Sequence, residues 1–323
     1  MEVLETNHEV KTIKKPGLEY FAVTSGVWGM KIVFVNIYMV ATEGNNWILI
    51  DAGLKGSGNK IRRMAEDIFG KGAKPSCIVL THAHFDHVGA LEELSDIWHV
   101  PIYAHPLEMP YLKGLSSYPP PDPLVGGGLM SLMSWTFPRK PKNLRNKVFK
   151  LPADGSIPGV ESWKYIHTPG HAPGHISLYR ESDKTLIAGD AFVTTKQESA
   201  FSVMTQKKQM SGPPKYFTID WQASASSVRE LAALHPETAA TGHGLPMYGE
   251  ELDTGLTFLA DHFEDVAVPK NGRYVKHPAV ADEKGVEYVP PANVKPLVIA
   301  GSIIAGALLA AVATWQLRKR KLV

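Results

Sequence analysis

Four potential metal ligands crowd into one short stretch of this 323-residue chain. His82, His84, Asp86 and His87 stand within six residues, directly after the apolar run 77–80. Imidazole nitrogens and carboxylate oxygens are good ligands for zinc and similar divalent ions. Residues two apart on an extended chain point the same way, so His82 and His84 can bind one ion together while Asp86 and His87 face a neighbouring one. The alternative is a histidine-rich surface turn, but the apolar strand predicted before the motif favours a metal site.

Three later segments carry residues of the same types after predicted strands. Segment 167–175 reads HTPGHAPGH, where proline and glycine favour a rigid turn that can aim an imidazole inward. The run 185–190 closes on Asp190, and segment 241–244 reads TGHG around His243. A lone Gly-Asp or Gly-His-Gly is more often a turn than a site. Their order after the first motif is what makes them candidates here.

The motif His82-x-His84-x-Asp86-His87 resembles the HxHxDH signature of the metallo-β-lactamase superfamily. Segment 167–175 resembles the HTPGHxxGH element of its glyoxalase II-like branch. The resemblance covers about residues 18–266 and implies an α/β (α+β) fold, a four-layer αββα sandwich holding two metal ions. The implied ligands are His82, His84 and His171 for the first ion, Asp86, His87 and His243 for the second, and Asp190 bridging both.

The resemblance also implies roles for neighbouring residues. It makes Asp51 a residue that orients the metal loop, although a simple turn residue at that strand end is an equal alternative. It makes His167 and His175 orienting or structural residues rather than ligands. Asp86 and Asp190 are the expected catalytic residues.

The implied activity is that of a dinuclear hydrolase. A water molecule shared by two such ions becomes a metal-bridging hydroxide near neutral pH, because coordination lowers its pKa. The expected substrate is a small molecule with an ester, thioester or lactone-like bond. The expected cofactors are two divalent ions, zinc with iron or manganese as alternatives. Three other functions stay open: a mononuclear iron enzyme resembling persulfide dioxygenases, a nuclease of the same superfamily, and a membrane-tethered binding module.

Composition limits the classes of protein that remain. The formal net charge is only +2, which argues against the clustered basic face of a nucleic-acid-binding protein. The single cysteine, Cys77, makes a disulfide framework impossible. The charged segment 1–15 has no apolar region typical of a secretory signal peptide.

Alternating strands and helices are predicted around these motifs. Segment 106–150 breaks the alternation with proline, glycine, methionine and tryptophan, and we predict a lid or substrate wall there. We also predict that this segment and segment 196–218 shape the substrate entrance. A packed helix over 129–137 is the alternative. The predicted strands are 18–24, 31–40, 47–50, 77–80, 101–104, 162–166, 176–179 and 185–188, and the predicted helices are 57–69, 90–94, 224–235 and 250–266.

The C-terminal part of the chain has a different composition. We predict a catalytic domain over 1–267, a linker over 268–296 and a basic tail over 318–323. Between linker and tail, residues 297–317 carry no formal charge and are long enough for a transmembrane helix. This predicts a single-pass membrane protein with a C-terminal anchor and a cytoplasmic catalytic domain. Small residues such as Gly301 and Ala305 would let two such helices pair as a homodimer.

Overall fold

The computed structural model describes residues 10–292, so segments 1–9 and 293–323 lie outside the description below. Residues 10–290 lie within one compact unit. The strands of the described part are β1 Thr12–Lys15, β2 Leu18–Thr24, β3 Val27–Ile32, β4 Val35–Ala41, β5 Trp47–Ile50, β6 Cys77–Val79, β7 Ile102–Ala104, β8 Val148–Lys150, β9 Ser156–Ile157, β10 Val160–His167, β11 Ile176–Arg180, β12 Thr185–Gly189, β13 Thr238–Thr241, β14 Met247–Tyr248, β15 Val280–Asp282 and β16 Gly285–Tyr288.

Two sheets form the centre of the molecule. The first contains β1 to β8 in chain order, antiparallel from β1 to β5 and parallel from β5 to β8. The second has the order β14-β13-β12-β11-β10-β9, with β12 and β13 parallel and the other pairs antiparallel. In each sheet the parallel strands bring their carboxyl ends to one edge, which is where the candidate ligands follow.

Helices cover the outer face of each sheet. The described helices are α1 Gly58–Phe69, α2 Leu91–Trp98, α3 Met109–Leu112, α4 Leu129–Met133, α5 Ala200–Thr205, α6 Trp221–Ala232, α7 Gly249–Asp261 and α8 Phe263–Val266.

Three apolar clusters show how these elements are layered. Ile61 of α1 and Leu91 of α2 pack against first-sheet residues such as Leu49. Val228 of α6 and Leu256 of α7 belong to a cluster with second-sheet residues. The third cluster joins the two sheets through residues that include Tyr38, Ile48, Val79, Trp163, Leu178 and Ile187. Apolar burial between successive layers therefore produces the predicted αββα arrangement.

The predicted strand 31–40 is divided in the structure by a tight turn. Val33 adopts a φ of 60°, and Phe34 N–H donates to Ile32 O at 2.8 Å. A β-branched residue rarely adopts this left-handed conformation, so the apolar pattern could not reveal the turn. The turn ends β3, begins β4, and places Phe34 beside the candidate site, as described below.

The predicted lid 106–150 contains both packed and exposed parts. Glu108, Tyr111 and Tyr118 are buried, and the two tyrosine rings stack with centroids 3.9 Å apart. The helix considered for 129–137 appears as the five-residue α4 followed by a 3-10 turn, Ser134–Thr136. Leu132 and Trp135 are exposed there. That the segment forms a lid or substrate wall stays a prediction.

Part of the predicted linker 268–296 packs against the rest of the described chain. Tyr274 is buried, and its hydroxyl donates to Pro120 O at 2.5 Å. Ala279 N–H donates to Ile219 O at 3.1 Å, and the hairpin β15–β16 follows. The domain boundaries themselves stay a prediction.

The predicted membrane localisation is corrected. No helix within residues 10–292 is long and apolar enough to span a bilayer. The longest described α-helix, α7, has 13 residues, about 20 Å at 1.5 Å per residue and short of a roughly 30 Å hydrocarbon core. The proposed span 297–317, its basic tail and the homodimer contact lie outside the described residues.

Candidate metal centre

All seven predicted ligands follow strands at one edge of the two sheets. His82, His84, Asp86 and His87 lie in the loop after β6, and the other three follow strands of the second sheet. His171 lies in the turn between β10 and β11, Asp190 directly follows β12, and His243 follows β13. Residues far apart in the chain therefore meet because the strands that precede them end side by side.

The ligand atoms fall into three groups, each with its members within 4.8 Å of one another. His82, His84 and His171 form the first group, which matches the predicted first ion site. Asp86, His87 and His243 form the second, which matches the predicted second ion site. The third consists of His82, His87 and Asp190. Both predicted sites are thus brought together.

Asp190 lies between the two sites. Its Oδ2 is 3.4 Å from His171 Nε2, 3.1 Å from His243 Nε2 and 3.6 Å from His87 Nε2. This close approach needs a glycine at position 242, because a Cβ there would lie 2.0 Å from Asp190 Oδ1. Asp190 therefore lies close to ligand atoms of both groups.

Three of these histidines have a protein partner at Nδ1, while Nε2 faces the cluster. His87 Nδ1 donates to Asp51 Oδ2 at 2.7 Å, and His243 Nδ1 donates to Phe34 O at 2.6 Å. His171 Nδ1 lies 3.4 Å from Thr218 Oγ1. Such partners fix the tautomer and orientation of metal-ligating imidazoles in general. The turn at Val33 thus matters for the site, because it supplies the carbonyl that orients His243.

Burial favours neutral imidazoles in the first group. It lowers the pKa of His82 and His84 well below the ordinary histidine value and lowers that of His171 to about 4. Metal binding requires deprotonated ligands, so these side chains are ready to bind near neutral pH. The balance differs at His87, where Asp51, Asp190 and Asp86 outweigh burial and raise the pKa well above its usual value. The negative charges that raise the His87 pKa would stabilise a bound cation in the same way.

Unpaired buried atoms provide a direct test of the fit to metal. His82 Nε2, His87 Nε2 and Asp190 Oδ1 are buried and have no hydrogen-bond partner among the described residues. A buried polar atom without a partner normally destabilises a protein, so such atoms call for an explanation. All three belong to the third ligand group. The donor types and their free atoms therefore fit divalent ions.

Two further residues orient the cluster. Asp51 accepts hydrogen bonds from Thr81 N–H at 2.8 Å and from the Thr81 hydroxyl at 2.7 Å, besides the bond from His87. The structure therefore gives Asp51 loop-orienting contacts rather than those of a simple turn. His175 Nε2 accepts from Asp190 N–H at 2.8 Å, and its other ring nitrogen lies 2.9 Å from Thr168 Oγ1. His175 thus has the structural contacts that its motif implied.

Glu108 is an organising residue that the sequence analysis missed. Its side chain is fully buried; Oε2 accepts from Ala83 N–H at 2.9 Å and from the Tyr118 hydroxyl, and Oε1 accepts from Gly174 N–H at 2.7 Å. Ala83 lies between two ligands of the first loop, and Gly174 follows the ligand His171. One carboxyl group therefore joins the loops that supply the first ligand group. Burial raises its pKa to about 7, against the opposing effect of these hydrogen bonds.

We expect Glu108→Gln to lower the free energy of unfolding. Glutamine has one accepting oxygen, so its amide N–H₂ would face the N–H of either Ala83 or Gly174. An unsatisfied buried donor costs about 1–3 kcal/mol, measurable by chemical denaturation. Glu92→Gln is the matched control, because Glu92 is exposed. Its Oε2 lies 3.9 Å from Lys142 Nζ, too far for a strong contact. Equal stability of the two variants would contradict the role of Glu108.

Comparison with known proteins identifies the family. The family model described as "Metallo-beta-lactamase superfamily" matches residues 30–243, which include all seven candidate ligands. The chain belongs to the metallo-β-lactamase superfamily. A curated member from Bacillus subtilis (strain 168), named "Probable metallo-hydrolase YflN", is 43% identical over 248 residues, covering 76% of this chain and 94% of that protein. "Probable metallo-hydrolase YybB" from the same organism is 28% identical over 211 residues, covering 65% and 81%.

Solved structures share the fold of this chain. A metallo-β-lactamase from Erythrobacter litoralis, crystallised with β-mercaptoethanol in its active site, has a TM-score of 0.52 and 18% identity and covers 78% of this chain and 100% of its own. The family protein TTHA1429 from Thermus thermophilus has a TM-score of 0.51 and 20% identity, covering 75% and 81%. The mixed α/β fold and the prediction of a metal-dependent hydrolase are confirmed.

Proposed function

We propose that the protein is a dinuclear metal-dependent hydrolase of esters, thioesters or lactones. The observation that carries the proposal is the place of Asp190 between two complete groups of ligand atoms. His82, His84 and His171 would hold one ion; Asp86, His87 and His243 would hold the other. Bound metal ions would lower the pKa of a water molecule and polarise the substrate carbonyl.

The remaining chemistry is assigned to the chain itself. Asp51 and the Phe34 carbonyl would keep His87 and His243 in the tautomers that point Nε2 at the cluster. His175 would keep Asp190 in place through the Asp190 N–H. In the reaction, water oxygen bonds to the acyl carbon, the C–O or C–S bond breaks, and the protons of water pass to the leaving group and to solvent. This balance needs no serine or cysteine nucleophile.

Two finer assignments belong to the proposal. We assign the chain to the glyoxalase II-like branch on segment 167–175, where His171 Nε2 lies 3.4 Å from Asp190 Oδ2 and His175 Nε2 accepts from Asp190 N–H. Zinc is the proposed metal because imidazole and carboxylate ligands suit it, and iron and manganese are the alternatives.

Removal and return of metal tests the proposal. The panel contains thioesters, esters, lactones and phosphodiesters. Chelator treatment should abolish hydrolysis of whichever substrates the protein cleaves. Zinc, iron and manganese are then added back separately to restore it. Recovery on an acyl substrate is the expected result. Recovery on phosphodiesters alone would favour the nuclease, and turnover of a persulfide with a single iron would favour the dioxygenase.

A further inference from the structure

Five aromatic side chains form a continuous surface beside the ligand cluster, here called the aromatic arc. Phe85 lies at its centre, with ring centroids 5.5 Å from Phe137, 6.3 Å from Phe34 and 6.3 Å from Phe217. Tyr216 extends the arc, 5.8 Å from Phe137 and 5.1 Å from Phe217. Four separate chain segments supply these rings, so their meeting is a product of the fold.

The arc contacts candidate ligands directly. The Phe217 ring stacks on His84 with centroids 4.6 Å apart, and the Phe34 ring stacks on His243 at 6.3 Å. Phe85 stands in the chain between His84 and Asp86. A group held on the arc would therefore lie next to the reacting centre.

The arc also borders the accessible side of the cluster. His82 and His87 have no exposed surface, whereas Asp86 keeps 6% and His84 keeps 4%. These two more accessible ligands are the neighbours of Phe85 in the chain. The candidate ligands that keep the most exposed surface therefore lie next to an arc residue, so a substrate group on the arc would be close to them.

Ordinary core packing accounts for only part of the arc. Tyr216 and Phe217 are buried, as packing residues should be, but Phe34, Phe85 and Phe137 remain partly exposed. The chain beside them exposes more apolar surface, with Val33 at 71% and Trp135 at 73%. Contiguous exposed apolar surface is typical of binding sites. An apolar ligand group would cover it.

We propose that the aromatic arc binds an apolar acyl chain of the substrate. The inference rests on the proposed hydrolase function and narrows its substrate class to esters or thioesters of medium or long aliphatic acids. Phe34, Phe85 and Phe137 are the specificity-determining residues. Binding energy from a part of the substrate that does not react can raise the rate at the part that does.

Thioesters of one thiol with acetyl, butanoyl, hexanoyl and octanoyl groups test the proposal. We expect kcat/KM to rise along the series. The rise should be at most about fourfold for each added methylene, the value for a methylene group that is fully buried on binding. Phe137→Ala should flatten this rise. Phe258→Ala is the matched control, because Phe258 is an exposed phenylalanine on α7, outside the arc. The dependence of kcat/KM on chain length in this variant should match that of the wild type.

A binding measurement makes the test independent of turnover. Calorimetry of the metal-loaded protein should show octanoate binding more tightly than acetate, and Phe137→Ala should reduce the difference. Rates or affinities that do not change with chain length would overturn the inference, as would a rise that Phe137→Ala leaves intact. Tight octanoate binding without hydrolysis of any acyl substrate would instead reject the proposed hydrolase function while keeping the apolar site.

Discussion

Asp190→Asn should reduce hydrolysis by more than about a hundredfold, because loss of an outer-shell partner alone typically costs 10–100-fold in metal affinity or activity. The Asp190 carboxylate is 2% exposed and lies within 3.6 Å of imidazole nitrogens from both predicted ion sites. Asparagine keeps the shape of the side chain but removes the negative charge that the two ions would share. We therefore expect at least one ion to be lost.

Metal content and kcat/KM of Asp190→Asn should be measured on the same preparation. Asp261→Asn is the control, since Asp261 is exposed at the end of α7 and distant in sequence from the cluster. Its metal content and rate should equal those of the wild type. Full metal content and full activity in Asp190→Asn would remove Asp190 from the site.

Asp51→Ala should be the most destabilising change beside the site. The Asp51 side chain is 3% exposed and accepts hydrogen bonds from Thr81 and His87. Removing one member of a buried charged pair costs about 3–5 kcal/mol, because its partner stays buried and unpaired. Without its acceptor, His87 would also lose the contact that points its Nε2 at the cluster, so the second ion should bind more weakly.

Backbone conformation makes Asp51→Asn the informative companion variant. Asp51 has a φ of 61°, a conformation that asparagine tolerates better than alanine. Asp51→Asn should therefore retain more stability than Asp51→Ala while still losing metal affinity. Denaturation of the metal-free proteins and metal titration separate the two effects. If both variants bound metal like the wild type, Asp51 would have no orienting role.

The sequence predicted the part of the site whose residues are close together in the chain. His82, His84, Asp86 and His87 stand close together in the chain, and an apolar strand before them is sufficient to expose them at a sheet edge. His171, Asp190 and His243 were found only because their motifs follow in the order that the family resemblance implies. Without that order, each would have been interpreted as a turn.

Other features depend on contacts that no local pattern encodes. Glu108 meets Ala83 and Gly174, which are 25 and 66 residues away in the chain. Its own neighbours, in a segment rich in proline, suggested only a lid. Likewise, the apolar pattern of 31–40 predicted one strand, and only the folded chain shows the turn at Val33 and the carbonyl that it presents to His243.

Counting metal ions in the purified protein tests the central claim most directly. Elemental analysis of the wild-type chain, combined with its protein concentration, should give roughly two divalent ions per chain, as a two-metal site requires. Asp190→Asn should fall to one or fewer in the same measurement. A wild-type chain that holds a single ion while fully active, or none at all, would contradict the dinuclear centre.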